Sequence, residues 1–221
     1  VAELGDVSAA AQLFAAAQMT SPSGKSHAFD VRANGYARGE ACCCVALLPA
    51  SASEEVRGVR ADACSVRQDG KSASLTAPNG TAQQALIRAA LESAGRSTRG
   101  AFVLEAHGTG TSLGDPIEAR AMCAVRDEPQ QMSVMACKAN VGHTEPTAGL
   151  AGLLQLATAK CHAVVCPNAQ LRAMNPHVTA AIGQRRPSLP AQMECAHATI
   201  EDISGGVSSF GLNGTIAHAV L

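Results

Sequence analysis

Glu105-Ala106-His107-Gly108-Thr109-Gly110-Thr111, running on through Gly114-Asp115-Pro116, is the stretch whose reading decides the fold. The apolar run from Ala101 to Ala106 reads as a strand, so the stretch predicts a histidine set directly past a strand end. Gly108 and Gly110 would let the backbone approach a ligand closely. Thr109 and Thr111 offer hydroxyls at alternating positions, suited to gripping an extended polar ligand. Asp115-Pro116-Ile117-Glu118 reads as a helix start, with Asp as N-cap, Pro at the first helical position and Glu three residues on. Asp115 and Glu118 are therefore assigned to capping. The glycines read G-x-G-x-x-x-G, one residue too long for a dinucleotide fingerprint, and no G-x-x-x-x-G-K-[ST] run occurs. Nucleotide binding is not expected.

A second histidine closes Lys138-Ala139-Asn140-Val141-Gly142-His143. The run Gln131 to Ala136 predicts a strand before it, with Lys138 at the strand end. Thr147 to Lys160 predicts a helix after it, apolar on nearly every face and so expected to be buried. Thr144 or Glu145 would cap that helix, with Pro146 near its first turn. A helix N-terminus disfavours the imidazolium, and a neutral imidazole there can donate a hydrogen bond to a developing oxyanion. A buried Lys138 would need an acidic partner or a lowered pKa. The chain closes on Val207-Ser208-Ser209-Phe210-Gly211-Leu212-Asn213-Gly214-Thr215. Gly205 to Leu212 and Thr215 to Leu221 read as a hairpin around Asn213-Gly214.

Residues 7–19 are Ala-rich and spaced for a short helix, which Ser21-Pro22-Ser23-Gly24 breaks. Ala41 to Leu48 reads as a buried strand, Gly58 to Val66 as another, and Ala82 to Ala94 as a helix ended by Gly95. Ser51 to Glu55 is the expected subdomain boundary. Strands alternating with helices predict a largely parallel sheet covered on both faces, with ligands at the carboxyl ends of its strands. Three segments, led by His107, His143 and Phe210, would then point at one location.

A chain of 221 residues can bury a sizeable core. Net charge of −1 gives no nucleic-acid footprint, and 2% aromatic residues provide no stacking platform for single strands. No apolar run reaches the roughly 18 residues of a membrane span, and no secretory leader is visible. Nine cysteines, an odd number, fit poorly with a disulfide framework. Cys42, Cys43 and Cys44 read as small hydrophobes in a reducing compartment, cytoplasmic or plastid. Cys161 and Cys166 flank His162, but no second pair completes four zinc ligands, so no metal is expected.

The three motifs in this order resemble the β-ketoacyl synthase (ketosynthase) family of fatty-acid and polyketide synthases. Further matching stretches are Phe29-Asp30 through Gly35-Tyr36 to Arg38-Gly39-Glu40, and Leu75-Thr76-Ala77-Pro78-Asn79-Gly80. Gly-Asp-Pro-Ile-Glu-Ala after His107 and Gly-His-Thr-Glu at His143 look most like multidomain (type I) polyketide synthases. The resemblance implies a thiolase-like α/β layered fold, seen as its second half plus the tail of its first. Residues 1–52 would be that tail and 53–221 the C-terminal half. The family's nucleophilic cysteine lies upstream of these motifs in an Ala-Cys-Ser-like turn. The triple Ala63-Cys64-Ser65 comes too late in the order and inside a predicted strand, so Cys64 is read as a buried strand residue. The chain, starting at Val1, is thus expected to lack the nucleophile and to be inactive in condensation alone.

For the intact protein the resemblance implies decarboxylative Claisen condensation of malonyl-carrier protein with an acyl thioester. His107 and His143 would face the malonyl thioester, and Lys138 would organise the site. Thr109 and Thr111 would contact the phosphopantetheine arm of an acyl carrier protein, with no other cofactor. Leu212 would supply an oxyanion N–H and gate the acyl pocket. A homodimer is implied. Two other readings stand beside it: a thiolase-like, non-decarboxylating acyltransferase, and a non-catalytic module that only docks a carrier protein. Departures from the family pattern are Ala41, where glycine is usual, Leu212 where an aromatic is common, Asn213 for glycine or serine, and Ile216 for asparagine.

Overall fold

A computed structural model describes residues 7–49, 58–70, 77–95, 101–125, 132–184, 187–196 and 203–221. The expected boundary at Ser51 to Glu55, and Leu75-Thr76 of one matching stretch, lie outside the described residues. Helix α1 (Val7–Ala16) opens the chain, and strand β1 (Ala63–Gln68) and helix α2 (Gly80–Ser93) follow. Next come β2 (Phe102–Glu105), α3 (Gly114–Ala124), β3 (Met132–Met135), α4 (Cys137–Val141) and a 3₁₀ turn (Glu145–Thr147). The long helix α5 (Ala148–His162), β4 (Val164–Val165), α6 (Pro176–Ile182) and β5 (Glu194–Cys195) lead to the closing hairpin of β6 (Ser204–Phe210) and β7 (Thr215–Val220).

Five strands form one sheet in the order β1-β7-β6-β2-β3, while β4 and β5 pair separately. β6, β2 and β3 run parallel, whereas β7 is antiparallel to both β6 and β1. The sheet is therefore mixed, not largely parallel as the alternation suggested. A closing hairpin can only pair antiparallel, and β1 joins its outer edge.

Side chains alternate across β2, which places the two cores. Phe102 and Leu104 pack on one face with Ile87 and Leu91 of α2, Met122 of α3 and Val178 of α6. Val103 packs on the other with Leu156 and Ala159 of α5, Val165 and Val207. α5 approaches β6 closely because the contact residues are small. A Cβ added at Gly205 would stand 2.8 Å from a Leu156 methyl.

Three expectations for burial fail. α5 is buried only along Ala148, Gly152, Leu156 and Ala159, and Leu150 and Leu154 on its other side are exposed. Ala41 to Leu48 forms no strand, and Leu47 and Leu48 stand open to solvent, as do Cys42 and Cys44. A strand exists only through its neighbours, and no described segment pairs with this one. Cys64 does lie in β1, opposite Ala219, but it is exposed, on the face opposite the half-buried Ala63 and Ser65.

Candidate active site

β2 delivers His107 as read. His143 is delivered differently, since the single helical turn α4 stands between the end of β3 and the Gly142-His143 corner. Lys138 accordingly sits in α4, not on a strand end, and is only 5% exposed. The two imidazoles lie edge to face with ring centroids 5.7 Å apart. Tyr36 packs against His143 at 4.8 Å and Phe210 against His107 at 5.2 Å.

Each ring has one nitrogen already committed. The Phe210 N–H donates to His107 Nδ1 at 3.3 Å, and the Glu145 N–H donates to His143 Nδ1 at 3.0 Å. An imidazole that accepts at Nδ1 is neutral and carries its proton on Nε2. Both rings therefore have an Nε2–H to donate. The electrostatics agree. Burial, then the Lys138 charge and the His143 ring, hold His107 well below the ordinary histidine value. Burial and Lys138 push His143 down to about 4, against a smaller pull from Glu145.

Asp115 and Glu118 do not cap α3. Leu113 occupies the N-cap position, and the Thr111 hydroxyl accepts the Gly114 N–H at 3.1 Å. The two carboxyls turn inward instead. Glu118 accepts the N–H groups of His107 at 2.7 Å and Gly108 at 2.9 Å. Asp115 accepts those of Phe29 at 2.7 Å, Gly110 at 3.1 Å and Thr111 at 3.3 Å. Burial raises both acids, Asp115 to about 7, although these N–H groups act the other way. Burial likewise lowers Lys138, opposed first by Glu105 and then by Glu118.

Gly108 and Gly110 serve the protein's own packing. Both have positive φ, 44° and 77°. A Cβ at Gly108 would stand 2.7 Å from the Ala136 Cβ, and one at Gly110 would stand 2.8 Å from the His27 backbone N. Thr109 and Thr111 bring their hydroxyl oxygens to 3.3 Å of each other. Leu212 lies 48% exposed in the β6–β7 turn, two residues past the N–H that holds His107.

Residues far earlier in the chain complete the His143 corner. The His143 N–H donates to the Ala37 carbonyl at 2.7 Å, and the Gly39 N–H donates to the His143 carbonyl at 2.9 Å. Arg38 grips Glu145 through two bonds of 2.8 Å. The motif stretch from Gly35 to Glu40 gave the sequence-level signal for this contact. The Phe210 N–H gave none, because a backbone group carries no residue identity. Among the described residues no cluster suits a metal ion.

Comparison with known proteins follows the same lines. Residues 59–172 match the family model of the β-ketoacyl synthase C-terminal domain, and residues 7–53 match that of the N-terminal domain. The chain is 41% identical over 208 residues to a phenolphthiocerol/phthiocerol polyketide synthase of Mycobacterium tuberculosis, covering 91% of this chain and 11% of that protein. It is 36% identical over 217 residues to a highly reducing polyketide synthase of Aspergillus terreus, covering 95% and 8%. Among solved structures it matches the ketosynthase from module 6 of the bacillaene synthase from Bacillus subtilis 168, with a TM-score of 0.86 and 27% identity. That match covers 98% of this chain and 40% of that one. With the matched model spanning both histidine motifs, the chain belongs to the β-ketoacyl synthase family, and its fold is thiolase-like. It spans about a tenth of the length of the curated relatives it matches.

Proposed function

We propose that this chain is the later part of a polyketide-synthase ketosynthase, with residues 1–52 the tail of the N-terminal half and 53–221 the C-terminal half. The intact protein would condense a malonyl unit with an acyl thioester. The observation that carries this reading is the pair of committed Nδ1 atoms, which leaves two Nε2–H donors on rings 5.7 Å apart. Two donors so placed suit one thioester oxygen.

The malonyl carbonyl oxygen would accept both Nε2–H bonds. The bond to the terminal carboxylate would break, CO2 would leave, and the electron pair would form an enolate whose charge lies on that oxygen. The enolate carbon would attack the acyl thioester carbon, and the C–S bond would break to release a thiolate. Burial would keep both imidazoles neutral, and Lys138 would reinforce this, since its charge opposes their protonation. Thr109 and Thr111 would grip the phosphopantetheine arm of an acyl carrier protein. Leu212 would offer its N–H to the acyl oxyanion and line the acyl entrance. The thiolate would be that of a cysteine outside this cluster. Cys137, which adjoins it, is pushed up to about 11 by burial, the opposite of an activated nucleophile. A homodimeric assembly and a cytoplasmic or plastid setting complete the proposal. No helix among the described residues is long and apolar enough to cross a membrane.

The test is CO2 release from a malonyl-pantetheine thioester by the full-length polypeptide that carries this sequence. His107→Ala and His143→Ala should each cut the rate by roughly 10²–10³. Release at the parental rate from both variants would overturn the assignment.

A further inference from the structure

Glu105 is a buried acid that the reaction above does not use. Its carboxyl, 1% exposed, holds two donors from two different elements. Oε1 accepts the Cys137 N–H at 2.7 Å, at the first residue of α4. Oε2 accepts the Gln155 side-chain N–H at 3.0 Å, from the middle of α5. Gly152 makes room for it, since a Cβ there would stand 3.0 Å from the Glu105 Cγ. Burying a carboxyl costs free energy that a leucine at the same place would not, so packing alone does not account for this residue.

The elements it joins are those that matter at the site. β2 runs from Glu105 into His107, α4 carries Lys138 and ends at the His143 corner, and α5 follows that corner. We propose that Glu105 is a positioning residue, whose carboxyl cross-links the strand bearing His107 to α4 and α5 and so fixes the separation of the two imidazoles. The inference rests on the ketosynthase reading for its kinetic consequence only. Burial raises the Glu105 pKa to about 8, opposed by the Cys137 N–H and then by Lys138. The ionisable groups that act with it are Lys138 and Cys137 on α4, Glu118 on α3 and Cys166 after β4.

Substitution separates the cross-link from the charge. Glu105→Gln keeps both contacts if the Gln155 amide turns over, because the new amide oxygen then accepts the Cys137 N–H and the new NH2 donates to the Gln155 oxygen. Glu105→Leu removes both and leaves the Cys137 N–H unpaired.

The histidines can be read one by one, by diethyl pyrocarbonate modification of the full-length polypeptide and peptide mass spectrometry. In Glu105→Leu, His107 and His143 should react several-fold faster. The buried His27 and His218 and the exposed His162 and His177 should keep their parental rates. The kcat of malonyl decarboxylation should fall roughly 10²-fold with little change in KM, the scale of an ångström-sized misplacement. Glu105→Gln should recover most of it. Gln155→Leu, at a half-buried position, should give the same selective pattern more weakly, and it decides the matter if Glu105→Leu does not fold. Unchanged reactivity at His107 and His143 would overturn the proposal, and so would a rise shared by His27 and His218. If the parental polypeptide released no CO2, the ketosynthase reading would fail, and the histidine rates would still decide the cross-link.

Discussion

Two backbone N–H groups set the chemistry of His107 and His143. Each fixes a tautomer by donating to Nδ1, and burial, with the Lys138 charge behind it, keeps both rings unprotonated. The pH dependence follows. His143 protonates only as pH falls toward about 4, so decarboxylation should hold level from pH 7 down to about 5. A rate that halves near pH 6.5, measured as CO2 release, would show an ordinary imidazole instead. Leu212→Phe should shift acyl-chain preference while leaving decarboxylation unchanged. The turn side chain is exposed, whereas the N–H that holds His107 belongs to Phe210. Kinetics with acyl thioesters of graded length would check this. These residues were legible because an uncommon side chain in a short motif survives without three-dimensional context. The geometry between them was not, since the bonds that orient the rings come from backbone groups 2 and 103 residues away.

At the level of elements, α3 shows how a local pattern misleads. Asp-Pro-x-Glu fits a capping box, and nothing nearby in sequence contradicts it. The true partners of Asp115 include Phe29, 86 residues earlier. Asp115 holds three N–H groups at once, one of them on a residue with a φ of 61°. Asp115→Ala should therefore cost roughly 3 kcal/mol, at about 1–3 kcal/mol for each buried group left unpaired, offset in part by relaxation. Asn79→Ala is the comparison. Asn79 caps α2 through the Thr81 and Ala82 N–H groups, and its loss should cost about 1 kcal/mol. Equal urea midpoints for the two variants would contradict this account of Asp115. α5 misled in another way. Its composition is apolar all round, and only the spacing of Ala148, Gly152, Leu156 and Ala159 marks the side that meets the sheet. Ala41 to Leu48 has the composition of a buried strand, but burial depends on a neighbour that its own residues cannot specify.

Across the whole molecule, buried acids and buried histidines pull stability in opposite directions. Glu105 and Asp115 are raised to about 8 and about 7, so the stability they confer is complete below their ordinary values near 4 and is lost as pH rises through 7 to 8. His143 and His218 are lowered to about 4, chiefly by burial, so their contribution is complete above about 6.5 and is lost as pH falls toward 4. Between about pH 4.5 and 6.5 the two trends offset each other, and of these four groups only the acids still change charge balance above that. The urea midpoint should stay level over the first range and decline toward pH 8. His218→Gln should tilt the level stretch, making stability fall from about pH 4.5 upward. A parental midpoint that climbs steadily to pH 8 would refute the balance.

The clasp between residues 35–39 and the His143 corner bears on how such synthases can be recombined. Ala37 and Gly39 bond the His143 backbone, Gly35 donates to the Gly110 carbonyl, and Phe29 donates to Asp115. All four lie before the boundary between the two matched domains. A chimera spliced at that boundary would import foreign residues into the seat of both histidines. A crossover placed ahead of Ser26 would carry the seat and its histidines as one heritable unit.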